Sequence, residues 1–174
     1  MKNLTLNILL IFWAAVSTAG VPTTQLTETD AIRWDSSLTL PQIDGKPNIG
    51  IAGVFSGRID GKLLIAGGAN FPDRTPAANG EKKYHRDLYI YDTSQGWQII
   101  PDALPAPRAY GVSVTLPEGV LCIGGCDASE CTDQVSLLTL DGDRPRFTPW
   151  PSLPRPLANA AGALVGHRIY VAGG

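Results

Sequence analysis

The sequence has little net charge, few histidines and, beyond its first twenty residues, no long hydrophobic run. Its 14 basic and 16 acidic side chains leave a formal charge of −2 at pH 7. Nucleic acids and anionic membrane surfaces attract strongly basic proteins, so neither is expected as a partner. Without a second hydrophobic segment, the chain after its N-terminal segment is expected to be soluble. No segment shows a sustained helical period, so we also expect almost no helix there.

Cysteine is scarce as well, and its three positions leave alternatives open. Cys126 and Cys131 flank a short loop and form either a disulfide, which persists outside the cytoplasm, or two free thiols. Cys122 falls inside an apolar strand and is expected to be a packed, inert thiol. A C-x4-C pattern without nearby histidines is weak evidence for a metal site, so no metal is expected.

The N-terminus predicts export. Lys2 supplies a positive charge, and Leu4 to Val16 is apolar except for Thr5 and Asn7. Ser17-Thr18-Ala19 then offers the small-x-small pattern that signal peptidase accepts. We therefore interpret residues 1–19 as a signal peptide and expect a periplasmic or secreted protein. A membrane anchor is the weaker alternative, because the apolar run is short for a bilayer.

What the chain has in abundance is glycine and proline, with 19 and 14 residues among 174. This profile is typical of many short strands joined by turns. Three apolar strands run into a glycine pair, and the pairs are 57 and 49 residues apart. That spacing is the period of a propeller blade. The three segments are Leu63 to Gly68, Val120 to Gly125 and Ile169 to Gly174.

Each repeat predicts four strands, with a glycine pair after the second and a tryptophan in the fourth. This order is typical of a kelch-type β-propeller blade. The fold class is therefore all-β, with blades at residues 49–102 and 108–151 and a partial blade at 157–174. The fourth-strand tryptophans are expected between blades, and Asp60-Gly61 is expected to form a hairpin turn. These tryptophans are Trp34, Trp97 and Trp150.

Residues 20–48 are interpreted as a linker and an N-terminal closing strand. Ile32-Arg33-Trp34 and Leu40-Pro41 repeat the residue pattern of a fourth strand and of the proline-containing connection that follows it. Propellers commonly close by donating a terminal strand to a blade completed by the other terminus. Because the recipient strands are not in this sequence, we expect a C-terminally truncated member. We expect such a fragment to be inactive and aggregation-prone alone.

Three phrases carry a resemblance to a known family. Arg108 to Ser113, Ala66 to Pro72 and Pro156 to Ala160 resemble the cyclically permuted mutarotase family. These are exported kelch propellers similar to bacterial N-acetylneuraminate epimerase. The resemblance implies six blades in the full protein and interconversion of the anomers of a sialic acid without a cofactor. The family's proposed catalytic glutamate and arginine belong to another blade, and Glu130 stands in a different context.

Loops after second strands and before first strands open on one face of a propeller, and this predicts the site. Arg108 is the best candidate for binding a substrate carboxylate, because its guanidinium donates two parallel hydrogen bonds. Its alternative role is to bond the neighbouring blade. His85 and Tyr110 are weak candidates for acid–base catalysis, with simple exposure and packing as their alternatives. The further substrate-binding candidates are Asn70, Arg86 and Asn159.

The leading functional hypothesis is therefore a mutarotase acting on a small sugar of the sialic acid type. The alternative is a non-catalytic kelch module that binds glycans or a protein, because propellers host many functions. A copper radical oxidase is disfavoured, since it needs several tyrosine and histidine ligands. This chain has two histidines, expected on opposite faces.

Overall fold

The structure, a computed structural model, describes residues 37–43 and 45–174. The predicted signal peptide and the Ile32–Trp34 part of the closing strand lie outside the described residues. The described part is all-β apart from one 3-10 turn at Pro76–Ala78, and none of its helices is long and apolar enough to span a membrane. Its strands are β1 Phe55–Ile59, β2 Lys62–Ala66, β3 Ala69–Asn70, β4 Lys83–Tyr84, β5 Leu88–Asp92, β6 Gly96–Ile100, β7 Val112–Leu116, β8 Gly119–Ile123, β9 Val135–Asp141, β10 Arg144–Trp150, β11 Ala160–Val165 and β12 Arg168–Gly173.

Two four-stranded antiparallel sheets follow one another along the chain. The first has the order β1-β2-β5-β6 and the second the order β7-β8-β9-β10. Strands β11 and β12 form a two-stranded antiparallel sheet. All strands of the three sheets lie within the predicted blades at 49–102, 108–151 and 157–174. The predicted all-β, kelch-type propeller fold is confirmed for the described residues.

The first strands begin later than the sequence predicts. The predicted blades begin at residues 49 and 108, whereas β1 begins at Phe55 and β7 at Val112. Gly53 and Tyr110, which precede these strands, both have a φ angle of +64°. An extended ladder cannot continue through the left-handed region, so each strand begins after it. The predicted hairpin turn is confirmed, since Asp60 and Gly61, at φ +50° and +82°, join β1 to β2.

The core lies between neighbouring sheets, and β8 shows how the sequence builds it. Val120 and Cys122 point towards the first sheet, whereas Leu121 and Ile123 point towards β11 and β12. Because strand side chains alternate between faces, a strand buried on both faces is apolar at every position. One cluster contains Phe55, Ile59, Leu64, Ala66, Leu88, Ile90, Leu104, Val120, Cys122 and Leu138. The other contains Val112, Val114, Leu116, Leu121, Ile123, Val135 and Leu137.

The fourth strands lie at the margin of this core. Trp150 is 36% exposed, and Trp97 is half-buried against the Tyr91 ring, with centroids 5.0 Å apart. The expected place of Trp150 between blades is met in part, because it lines the cleft between the two four-stranded sheets but is not fully buried. At that margin, Lys62 and Asp143 form an ion pair of 2.5 Å between the two four-stranded sheets.

Candidate functional site

Two loops leave the second strands of successive sheets and have the same backbone frame. Loop I is residues 67–87 and loop II is residues 124–134. The Gly67 N–H donates to the Asp87 carbonyl, and the Gly124 N–H donates to the Gln134 carbonyl, both at 2.9 Å. These bonds close each loop at its base. The two loops are therefore equivalent positions of the repeat, despite their different lengths.

The glycine pairs also bond each loop to the following interblade connection. The Gly68 N–H donates to the Arg108 carbonyl at 2.7 Å, and the Gly125 N–H donates to the Leu157 carbonyl at 2.8 Å. A Cβ on the first glycine of either pair would collide with that same carbonyl. The pairs therefore mark positions where two backbones approach too closely for a side chain. Arg108 and Leu157 are equivalent in the two repeats.

A second series of hydrogen bonds links the residues that precede the first strands. The Tyr110 N–H donates to the Gly53 carbonyl at 2.7 Å, and the Asn159 N–H donates to the Tyr110 carbonyl at 2.8 Å. Gly53, Tyr110 and Asn159 are all left-handed, with φ angles of +64°, +64° and +56°. Glycine and asparagine tolerate this region, whereas a bulky aromatic residue is strained there. Tyr110 is thus the unusual member of the series.

Loop I is ordered by pairing within itself. Strand β3 pairs with β4, in the register Ala69↔Tyr84 and Asn70↔Lys83. The 3-10 turn at Pro76–Ala78 lies in the segment that connects β3 to β4. The ladder fixes the backbone of Lys83 and Tyr84 against that of Ala69 and Asn70. This geometry is typical of a functional loop carried on a rigid support.

His85 and Asn70, two of the predicted site residues, are brought together. His85 Nε2 lies 2.9 Å from Asn70 Oδ1, and Asn70 Nδ2 donates to the Gly50 carbonyl at 2.9 Å. Because a carbonyl only accepts, the second bond fixes the amide orientation, so Nε2 carries the proton. Burial, assisted by the charge of Lys83, lowers the pKa of His85 below its ordinary value. The imidazole is therefore neutral at pH 7, with Nδ1 as its proton acceptor.

The two predicted arginines are engaged in bonds within the protein. Arg108 Nη2 donates to Gln134 Oε1 at 2.5 Å, and the side chain lines a cleft of about 300 Å³ between the four-stranded sheets. Burial lowers the pKa of Arg108. Arg86 Nε donates to the Leu104 carbonyl at 3.0 Å. The alternative role expected for Arg108 is a bond to the neighbouring blade. Its guanidinium instead bonds a side chain at the base of loop II, that of Gln134. Their substrate-binding roles stay predictions.

Sequence reasoning missed a cluster of one cation and two aromatic rings. Lys82 Nζ lies 4.3 Å from the centre of the Tyr110 ring and 5.3 Å from that of Tyr84. The two rings meet edge to face, 6.4 Å apart. The interaction with Tyr110 raises the pKa of Lys82, so its ammonium is charged at pH 7. The sequence gives only a weak indication of this cluster. Lys82 and Tyr84 are two residues apart near β4, and side chains two residues apart in a strand lie on the same face.

Loop II is held by a covalent bond and a turn. Cys126 and Cys131 form a disulfide, with Cα atoms 3.9 Å apart. The Asp127 carboxylate accepts hydrogen bonds from the Ser129 hydroxyl and from the N–H groups of Ser129 and Glu130. These bonds lower the pKa of Asp127 to about 2. The loop's polar atoms therefore largely satisfy one another.

Cys122 matches its expected role, since it is buried within β8 and free. Burial raises the pKa of its thiol to about 12, so it is neither a nucleophile nor a ready ligand. Over residues 37–43 and 45–174, no three His, Cys, Asp or Glu side chains group in a way that could hold a metal ion.

Comparison with known proteins places the chain in a family. The model of the N-acetylneuraminate epimerase family matches residues 13–146. The chain belongs to this family. A relative named N-acetylneuraminate epimerase from Haemophilus influenzae (strain PittEE) is 32% identical over 123 residues, covering 65% of this chain and 32% of the relative. One of that name from Vibrio cholerae serotype O1 is 38% identical over 119 residues, with 63% and 31% covered.

A solved structure described as "Structure of YjhT" is also similar. It matches with a TM-score of 0.52 and 26% identity, covering 63% of this chain and 33% of that structure. The chain thus spans about a third of the length of the curated relatives it matches. Within this N-acetylneuraminate epimerase family member, loop I lies wholly inside the matched residues.

The candidate residues fall into two groups. Tyr110 and Asn159 are joined through the backbone, and Asn70 and His85 through their side chains. Arg86 and Arg108 instead bond the interblade connection and Gln134. The resulting face offers a neutral imidazole, two phenols, amides and a charged ammonium. These are the groups that proton transfer and recognition of an anionic sugar require.

Proposed function

We propose that this protein interconverts the α and β anomers of N-acetylneuraminate, a sialic acid. The observation that carries the proposal is the match of residues 13–146 to the N-acetylneuraminate epimerase family. The chain spans about a third of the length of its curated relatives. The activity in their name is therefore a proposal for this protein. The expected substrate is a small anionic sugar.

Anomer exchange opens and recloses a hemiketal. One group removes the proton from the anomeric hydroxyl, and another protonates the ring oxygen. His85 supports the first role, because its neutral ring keeps Nδ1 free to accept a proton. Tyr110 supports the second, because its phenol is a donor next to the Lys82 ammonium. No net redox change occurs. When the ring recloses, His85 returns its proton to the anomeric oxygen and Tyr110 recovers a proton from the ring hydroxyl, so both groups end as they began.

The protein is further proposed to work outside the cytoplasm. The export pattern of residues 1–19 supports this, as does the disulfide between Cys126 and Cys131. Disulfides persist in oxidising compartments and are rare in the cytosol. Mass spectrometry of the protein purified from a periplasmic or culture-medium fraction tests both points. Recovery only from the cytosol with residues 1–19 attached contradicts this proposal.

Saturation-transfer NMR tests the activity directly. N-acetylneuraminate is mixed with a purified six-bladed propeller that contains these residues, because the 174 residues alone are expected to be inactive. The exchange between the two anomer signals is measured against a heat-denatured sample. Accelerated exchange, reduced at least tenfold in a His85→Gln variant, is expected. Unaltered exchange at high protein concentration contradicts the proposal. Binding without exchange favours the alternative of a non-catalytic glycan-binding propeller, for which the polar face is equally suitable.

A further inference from the structure

Lys82 differs from Arg86 and Arg108 in its partners, because its ammonium hydrogen-bonds the phenols of Tyr110 and Tyr84 rather than a carbonyl, an amide or a carboxylate. Arg86 lies 3.8 Å from the Asp102 carboxylate and also bonds the Leu104 carbonyl. Arg108 donates to Gln134. Among the residues that the structure describes, no carboxylate lies within ion-pair distance of Lys82. Its ammonium is held by two rings, whose faces attract a cation without neutralising its charge.

The support for this ammonium is rigid. Tyr84 belongs to β4 and is paired with Ala69 in the β3–β4 ladder. Tyr110 is fixed by backbone bonds on both sides, to Gly53 and from Asn159. A lysine is a flexible point charge, so a binding role requires neighbours that restrict it. The two rings provide that restriction.

Tyr110 occupies a backbone conformation that two equivalent positions fill with more suitable residues. Gly53 and Asn159 have the same left-handed geometry, and their residue types adopt it readily. A tyrosine there is strained, and such strain persists where the side chain has a task. The contact between its ring and Lys82 supplies one.

We propose that Lys82, flanked by Tyr84 and Tyr110, binds the carboxylate of the sugar acid. The proposal rests on the proposed function and replaces Arg108 in the carboxylate-binding role. The ligand class is a sugar whose anomeric carbon carries a carboxylate. The ammonium donates to the carboxylate, the ring faces contact the apolar side of the sugar, and the exposed Asn159 amide is placed for its polar groups.

The test compares Lys82→Met with Lys83→Met. Lys83 is the adjacent, exposed lysine of loop I, so the control removes the same charge from the neighbouring position. Each protein is assayed for anomer exchange and for binding of N-acetylneuraminate and of its methyl ester, whose carboxyl group is uncharged. Circular dichroism and the thermal midpoint establish that each variant is folded.

Lys82→Met is expected to raise KM or Kd for the acid at least tenfold, with kcat changed less than threefold and ester binding unchanged. Lys83→Met is expected to bind the acid as tightly as the wild type does, and Lys82→Arg to restore acid binding in part. Binding is the readout for the Lys83 control, because the charge of Lys83 also lowers the pKa of His85. Equal acid affinity in Lys82→Met and wild type overturns the Lys82 proposal while the proposed function stands. A wild-type protein that neither binds nor exchanges the sugar rejects the proposed function, and this proposal with it.

Discussion

Loops I and II begin and end with equivalent hydrogen bonds, yet their interiors are stabilised by different means. In loop I the ladder between β3 and β4 orders the chain, and the side chains of Asn70 and His85 bond each other. In loop II the equivalent residues are Asp127 and Thr132. Asp127 bonds only its own turn, and a disulfide closes the loop.

The difference shows that equivalent loops of successive repeats can have different roles, loop II a structural one and loop I a chemical one. The polar groups of loop II form hydrogen bonds within the loop, which is a short, closed connection between β8 and β9. Loop I presents an imidazole, an ammonium and a phenol on a supported hairpin. The repeat therefore determines where a loop stands, and the loop's own length and composition determine whether it can bind a ligand.

The largest expected effect concerns the glycines that begin the loops. Gly124→Ala places a Cβ at φ +61° against the Leu157 carbonyl. The backbone conformation costs about 1 kcal/mol, and the collision adds about 2 kcal/mol. Urea unfolding is expected to show a loss of about 3 kcal/mol, the sum of these two costs, and Gly67→Ala, which meets the Arg108 carbonyl, a similar loss.

Gly142→Ala is the matched control for Gly124→Ala. Gly142 has the same φ of +61°, but nothing lies within 4 Å of the place that an added methyl group would take. A loss of about 1 kcal/mol is expected, from the backbone conformation alone. Equal losses in the two variants contradict the idea that the pairs mark a close approach of backbones.

The second effect breaks loop II while leaving loop I intact. Replacing Cys126 and Cys131 by alanine removes a cross-link over a sequence separation of five residues. The loop-entropy relation gives a loss of about 2 kcal/mol in the free energy of unfolding. Thermal unfolding measures the loss, and N-acetylneuraminate binding is expected to be unchanged. A loss of sugar binding in the alanine variant would show that loop II belongs to the site.

The smallest effect distinguishes the loops by pH. The pKa of His85 lies below its ordinary 6.5, so its contribution to stability is full above pH 6.5 and is lost as pH falls through the folded-state value. The pKa of Asp127 is about 2 against an ordinary 3.8. Its contribution is full above pH 3.8 and is lost as pH falls towards 2.

The two windows are separable by substitution. His85→Gln is expected to remove the pH dependence of unfolding just below pH 6.5, and Asp127→Asn that between pH 3.8 and 2. Free energies of unfolding measured across this range, against the wild type, give the comparison. A His85→Gln variant that retains the wild-type dependence just below pH 6.5 would contradict the half-buried, neutral imidazole.

The fold follows from the sequence because its signals are local. The glycine pairs, the Asp60-Gly61 turn and the alternation along Leu88–Asp92 each act within a few residues of the chain. The late start of β1 is the exception, since it depends on the left-handed conformation of Gly53, which bonds Tyr110 in the next repeat. Strand ends are set by such distant partners.

The site was less predictable because its decisive contacts join separate elements. The sequence identifies His85 and Asn70 as polar, but their bond depends on the β3–β4 register. Arg108 is identified as a cation, yet its direction depends on the position of Gln134 at the base of loop II. Lys82 stands out only when two tyrosines from separate repeats are brought together.

The hydrogen bonds from Tyr110 to Gly53 and from Asn159 to Tyr110 define a pitch that does not depend on sequence length. The repeats they connect differ, since one spans 57 residues and the next 49. Because each bond joins neighbouring repeats directly, it forms at the same place whatever the length of the loops between them. Residues can therefore be added to a loop such as loop I without changing the hydrogen bonds that join neighbouring repeats.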